Sequence, residues 1–360
     1  MIKSNRNRKR VLIVGSGKRV QNSILPALTY LGDDYIIQGV TSKTNKNHQQ
    51  IRKNWDIPTS TRIRNFDLSR VDWIVIAVDL NEVPVVIKEI CSCSMEDKEI
   101  FLDTPVLDIQ DLSNMSLLKK FKKVYTTEES VVLPQFRMAK NLIDQGKIGA
   151  LKRIWLFHSG YKYHAIATIR SLVNDNNILK IHHKEITKQC FEIIMNFKNG
   201  VTATIIEPRD YNSGRFLISG TNGLIADYDI NTDMINCPVY KISYLLNNNS
   251  ISSFTLNNKK KTNNILDERF FDILDISKIP KPSINNQLKI RALMDYFYLI
   301  KCDNSYSGHN YKDGIYDNIL SNLPHGLKYW YDPLGHFKMS SLIVMTRFII
   351  FLKRFLHWTK

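Results

Sequence analysis

Apolar runs without in-and-out alternation in the first hundred residues limit the folds open to this chain. Val11-Leu12-Ile13-Val14, Trp73-Ile74-Val75-Ile76-Ala77-Val78 and Ile100-Phe101-Leu102 are continuously apolar, and Tyr35 to Val40 nearly so. Successive side chains of a strand point to opposite faces, so such a run is buried on both. Helical patterns from Gln21 to Leu31 and from Val85 to Cys91 lie between them. Strands alternating with helices imply a parallel sheet covered on both faces, an α/β doubly wound domain of Rossmann type over residues 1–125.

The pattern changes after Thr126. One helical segment, Pro134 to Gly146, precedes a series of strands without helices between them. Cys190 to Phe197, the turn Asn199-Gly200 and Val201 to Ile206 read as a hairpin. Arg215 to Ser219, Gly223 to Tyr228, Val239 to Leu246 and Ser250 to Leu256 continue the series, and Asn-rich stretches between 231 and 264 read as loops and strand edges. Helical patterns return from Gln287 to Lys301 and Gly314 to Leu323. Residues 126–336 are therefore expected to form an α+β domain with a mainly antiparallel open sheet.

Charge narrows the class of partner. The chain carries 50 basic and 34 acidic residues, net +16, which favours polyanions such as nucleic acid, an anionic membrane surface or phosphorylated small molecules. No nucleic-acid motif or basic-aromatic interleaving supports the first. Segment 337–360 is basic and apolar, and as a helix would align Phe348, Phe351, Leu352 and Phe355. Arg347 would sit near mid-membrane if it spanned, so a peripheral contact with anionic lipid fits better; packing on its own domain or a second copy fits equally. Cys91, Cys93, Cys190, Cys237 and Cys302 are odd in number, with spacings that suit neither zinc nor a disulfide framework. No metal site is expected, and a reducing cytoplasm is.

The chemistry-bearing signal is Val14-Gly15-Ser16-Gly17-Lys18-Arg19-Val20, between the first strand and the first helix. One glycine permits the tight turn, and the next lets the backbone approach a pyrophosphate seated on the helix N-terminus. Val20 stands where the third glycine of the motif is usual. The second strand ends in Thr41-Ser42-Lys43 without the acid that accepts from ribose hydroxyls in NAD-selective sites. Ser42 and Lys43 could instead hold a 2′-phosphate, so NADP(H) is expected ahead of NAD(H), with Lys43 as a plain surface lysine the alternative.

These segments resemble the glucose–fructose oxidoreductase / inositol dehydrogenase type of NAD(P)-dependent enzymes. The glycine turn with Leu25-Pro26-Ala27-Leu28, Val71 to Ala77, Phe101-Leu102-Asp103-Thr104-Pro105, Leu142 to Gly149, Phe197 to Val201 and Ile218 to Gly223 follow one another in the family's order. The resemblance implies a cofactor site built from Gly15, Ser16, Gly17, Lys18, Arg19, Ser42, Lys43, Ala77, Asp103 and Pro105. It implies a small sugar-like hydroxyl or carbonyl substrate, a nucleotide sugar among the candidates, and assembly as a homo-oligomer.

Two departures stand out. Asp103-Thr104-Pro105 falls where the family has Glu-Lys-Pro, and threonine supplies neither a charge nor a useful proton near neutrality. The family's second motif, a histidine on the helix after the first strand of the second domain, is matched by Gly160-Tyr161-Lys162-Tyr163-His164, with Tyr161 at the place of an acid. His164 is the expected general acid/base, with Lys162 or Tyr161 replacing the lost lysine and Thr104 offering a hydrogen bond; a structural helix-start histidine is the competing reading. The alternative for the whole protein is a dinucleotide-binding scaffold or sensor without turnover. His182-His183 and His309 read as surface loops, and Glu128-Glu129, at the domain junction, as a solvated pair that could shape the cofactor cleft.

Overall fold

The computed structural model describes residues 8–93, 97–107, 109–174, 177–210, 213–231, 236–247, 250–257, 259–261, 283–302, 309–323 and 330–331. Segment 337–360 lies outside them. The chain divides into two compact units, Met1–Glu129 with Glu268–Ile315, and Ser130–Asp267 with Tyr316–Lys360.

The first unit holds a six-stranded parallel sheet. Its strands are β1 (Lys9–Val14), β2 (Tyr35–Thr41), β3 (Thr59–Ser60), β4 (Trp73–Ile76), β5 (Glu99–Leu102) and β6 (Lys123–Thr126), in the order β3-β2-β1-β4-β5-β6. Order reverses at β1, which has β2 on one side and β4 on the other, so a crevice opens at its C-terminal end. Val11, Leu12 and Ile13 of β1 and Ile74 and Val75 of β4 are fully buried, as continuous apolar runs require. The two-residue β3 and the polar-flanked β6 carry too few apolar residues to announce themselves in sequence.

The first helix begins as a π-helical turn, Val20–Ile24, and continues as α1 (Leu25–Tyr30). Helices α2 (His48–Trp55), α3 (Val83–Cys91) and α4 (Met115–Leu118) complete the crossovers. This unit also takes in Ile284–Cys302, a helix that sequence order places in 126–336 and that packs on α1 and the π turn. Its Phe297 ring lies 5.5 Å from Phe101 and 6.3 Å from Trp73, while Trp73 and Phe101 stand 4.5 Å apart. The Tyr35 hydroxyl donates to the Phe297 carbonyl at 2.8 Å, and Lys301 pairs with Asp34 at 2.6 Å. Aromatic burial of this kind dominates core energetics.

The second unit carries α5 (Pro134–Asp144), α6 (Lys162–Val173) and a ten-stranded mixed sheet. Its strands are β7 (Leu151–Phe157), β8 (Ile178–Thr187), β9 (Cys190–Phe197), β10 (Thr202–Glu207), β11 (Arg215–Gly220), β12 (Leu224–Ala226), β13 (Val239–Asn247), β14 (Ser250–Leu256), β15 (Lys259–Lys261) and β16 (Trp330–Tyr331). They run in the order β15-β14-β13-β12-β11-β7-β10-β9-β8-β16, antiparallel except β7–β10 and β12–β13. The β9–β10 hairpin turns at Gly200, whose φ of 85° suits glycine. Burial alternates along β10, one face packing on α6. Arg170 of α6 forms a buried ion pair with Asp317.

Two acid or histidine pairs sit differently from the sequence expectation. His182 and His183 are not in a surface loop but on β8, where His183 is 3% exposed, because it points to the packed face of the sheet. Glu128 and Glu129 are not solvated: they are 1% and 4% exposed, Glu129 being drawn inward by a guanidinium partner.

Asp227, just past β12, accepts from the Phe216 N–H at 2.9 Å, yet burial pushes its carboxyl up to about 6. A raised folded pKa means protonation favours the fold, so stability falls as pH rises through that value. Asp227→Asn is expected to stabilise the protein by roughly 1–2 kcal/mol at about pH 8 and to gain nothing near pH 4, checked by denaturant melts at both.

Candidate functional site

The register of the first sheet puts Thr41, Val14, Ile76, Leu102 and Thr126 on one row across five strands. The next residue on each strand is Ser42, Gly15, Ala77, Asp103 and Thr127. Four of the expected cofactor residues therefore share one sheet edge.

Gly15 cannot be another residue. Its φ is +124°, and a Cβ there would meet the Ala77 carbonyl oxygen at 2.0 Å, while its N–H donates to Thr41 O at 2.7 Å. The chain must reverse between β2 and β4 with no room for a side chain. Gly17 differs: a Cβ there would have nothing within 4 Å, so the main chain is open to an approaching group. The Ser16 carbonyl accepts from Gln21 Nε2 at 2.9 Å and Asn47 Nδ2 at 2.8 Å, which ties the turn to the first helix and to the start of α2. First-turn N–H groups of a helix have no partner within it, which suits a pyrophosphate. This main-chain cradle fits a dinucleotide; Lys18 is exposed beside it.

Arg19 turns to the strand ends. Its guanidinium bonds both Asp103 oxygens, Nη2 at 3.0 Å, and both Glu129 oxygens at 2.8 and 2.6 Å. Thr127 Oγ1 adds a hydrogen bond to Asp103 at 2.7 Å. Burial alone would lower the Arg19 pKa, but Asp103 and Glu129 together hold it above the usual value. The network clamps the Asp103-Thr104-Pro105 turn against the glycine turn. Glu129 was placed in sequence only as half of an acidic pair; its partner 110 residues earlier gives no local signal.

At the end of β2, Lys43 is exposed and pairs with Glu82 at 3.0 Å. The Ser42 hydroxyl meets Thr44 O at 2.7 Å and His48 Nε2 at 2.8 Å. His48 is 4% exposed, and burial first, then nearby Arg52, lowers its pKa, so it is neutral at physiological pH.

In the second unit, β7 pairs in parallel with β10, so the C-terminal ends of both lie side by side. From β7 the chain passes His158, in left-handed backbone at φ 52°, and Gly160, where a Cβ would press on Ala165 at 2.4 Å. Tyr161 precedes α6, and Lys162 begins it at φ 39°. The Lys162 N–H donates to the carboxylate of Glu207, the buried last residue of β10, as a helix N-terminus favours. Tyr161, Tyr163 and His164 form one aromatic cluster, with Tyr163 and His164 ring centres 4.4 Å apart and the Lys162 ammonium 5.5 Å from the Tyr161 ring. The His164 carbonyl accepts from Ser130 and Thr168 hydroxyls at 3.0 and 2.9 Å. Glu207 escaped the sequence reading because only strand pairing brings it to α6. Thr104 belongs to the first unit and His164 to the second. Among the described residues no group of three or more His, Cys, Asp or Glu could hold a metal ion.

The first unit thus has a Rossmann fold, and the second is an α+β unit on an open mixed sheet. That architecture recurs in solved oxidoreductases and dehydrogenases. Apo scyllo-inositol dehydrogenase from Lactobacillus casei superposes with TM-score 0.59 at 14% identity, covering 88% of this chain and 95% of its own. An oxidoreductase from Agrobacterium radiobacter in complex with NAD+, L-tartaric acid and magnesium gives 0.61 at 11%, covering 88% and 94%. The WlbA dehydrogenase from Bordetella pertussis, in complex with NADH and UDP-GlcNAcA, gives 0.59 at 11%, also covering 88% and 94%. No protein-family model and no curated protein matches the sequence. What is shared is the fold.

Arg19→Met leaves two carboxylates facing each other, one of them almost fully buried. It is expected to cost about 3 kcal/mol in denaturant unfolding, and adding Glu129→Gln should restore part of that loss. Equal stability of wild type and Arg19→Met would show the clamp to be without weight.

Proposed function

We propose that this protein is an NAD(P)-dependent oxidoreductase, a divergent relative of the glucose–fructose oxidoreductase / inositol dehydrogenase enzymes, acting on a sugar-like hydroxyl or carbonyl compound. The observation that carries the proposal is the glycine turn at the end of β1, where Gly15 has no room for a side chain and Gly17 opens the backbone. The shared fold with an oxidoreductase crystallised with NAD+ and a dehydrogenase crystallised with NADH supports the same cofactor class. The complex of one of them with UDP-GlcNAcA makes a nucleotide sugar a substrate worth testing.

A nicotinamide bound at this edge would supply or accept a hydride. The chain's own residues have three tasks. Main-chain N–H groups of Ser16 to Arg19 would hold the pyrophosphate, with Ala77 and Pro105 flanking the cofactor. Thr104 would hydrogen-bond a substrate oxygen. In the second unit, His164 would serve as a general acid/base, with Lys162 and Tyr161 supplying the positive dipole that the family's lysine provides elsewhere. Half-buried Trp155 and Leu217 and exposed Phe157 lie on the open sheet face, which supports pairing with a second copy. No helix among the described residues is long and apolar enough to cross a membrane. A role at a membrane surface or in surface polysaccharide synthesis would rest on 337–360, outside the described residues.

Thr104 also favours a second reading, a dinucleotide-binding protein without turnover. Both are tested together. NADH should bind wild type in calorimetry and Gly15→Ala should abolish binding; a wild type that binds neither NADH nor NADPH overturns both readings. With inositols and nucleotide sugars as substrates, His164→Gln should lower kcat by about 10²- to 10⁴-fold with cofactor affinity unchanged. Binding without turnover on any of these favours the scaffold.

A further inference from the structure

Resting on the dinucleotide reading, we propose that this site selects NAD(H) over NADP(H), with Ser42 as the specificity-determining residue and His48 as the residue that positions it. The expectation from sequence was the reverse, because Ser42 and Lys43 are of the residue types that hold a 2′-phosphate. The geometry assigns their hydrogen-bonding groups elsewhere.

The Ser42 N–H donates to Ser60 O, and the neighbouring Thr41 O accepts from Gly15, so Ser42 stands one residue beyond the glycine turn's own contact. In a Rossmann crevice this position meets the adenosine ribose. A serine hydroxyl has one proton and two lone pairs. The Thr44 carbonyl, 2.7 Å away, can only accept, so the proton lies on that side. His48 Nε2, 2.8 Å away, must then be the donor, and the buried neutral ring carries its hydrogen on Nε2. One lone pair of Ser42 remains for a ligand. It can accept from a ribose 2′-hydroxyl and has nothing to donate to a 2′-phosphate, which is itself only an acceptor when ionised.

The surroundings agree. Lys43 Nζ lies 3.0 Å from Glu82, so a phosphate arriving there meets a carboxylate as well as the ammonium. That pair is exposed and weakly held, and the discrimination therefore rests on Ser42. His48 reaches Ser42 from the first turn of α2, whose preceding residue, Asn47, is tied to Ser16 O. One short segment thus supports the pyrophosphate turn and sets the polarity of the ribose position.

The experiment is a fluorescence titration of the full chain with NADH and with NADPH, repeated with ADP and 2′,5′-ADP as competitors. NADH is expected to bind about tenfold or more tightly than NADPH. Ser42→Ala should weaken NADH about fivefold while leaving NADPH nearly unchanged. His48→Leu, which releases the hydroxyl to turn towards a phosphate, should bring the two affinities together, and His48→Gln, which keeps an N–H at that depth, should hold them apart. Circular dichroism confirms that each variant is folded; should His48→Leu not fold, Ser42→Ala decides. NADPH binding as tightly as NADH, or Ser42→Ala weakening both alike, overturns this proposal and leaves the oxidoreductase reading standing. Binding of neither dinucleotide overturns both.

Discussion

Everything at the candidate cofactor site depends on one row of parallel register. Thr41, Val14, Ile76, Leu102 and Thr126 are aligned, so the strand-end residues Ser42, Gly15, Ala77, Asp103 and Thr127 emerge together. A slip of one residue in any strand would send each following side chain to the other face. The buried runs on both sides of the sheet prevent that slip, because every side chain of β1 and β4 from Val11 and Trp73 onward has a covered place.

Charge at that edge is arranged to be neutralised locally. Arg19 is enclosed by Asp103 and Glu129, Lys43 meets Glu82, and Ser42 is held by His48 and Thr44. The polar groups offered by the sequence are mostly bound to one another, leaving main-chain N–H groups of the glycine turn and a single lone pair on Ser42 as the distinctive features. The Arg19–Asp103–Glu129 cluster is the firm part of this edge, since removing Arg19 leaves two carboxylates without their counter-charge. It also gives Thr104 a fixed neighbour in Asp103, whatever chemistry Thr104 serves.

In the second unit the equivalent constraint is the parallel contact of β7 and β10. It delivers Glu207 to the start of α6 and so holds the unusual left-handed backbone of Lys162 in place. The Tyr161–His164 cluster was visible as a run of four residues, and its compactness follows from that adjacency. The carboxylate that caps the helix was not visible, being 45 residues away along the chain.

Local sequence determined what local physics can decide. Continuous apolar runs specified the strands β1, β4 and β5; Gly15 and Gly17 specified the turn; Asn199-Gly200 specified the hairpin; and the Tyr161–His164 run specified a candidate cluster. Only the tertiary structure decided which distant groups meet. It brought Glu129 to Arg19, Glu207 to α6 and Phe297 against Trp73. It also turned Ser42 from a presumed phosphate donor into a hydroxyl already committed to Thr44 and His48. The reason is that an ion pair or hydrogen bond between residues far apart in sequence leaves no periodicity behind: its partners are chosen by strand order and register, which are settled by burial across the whole sheet.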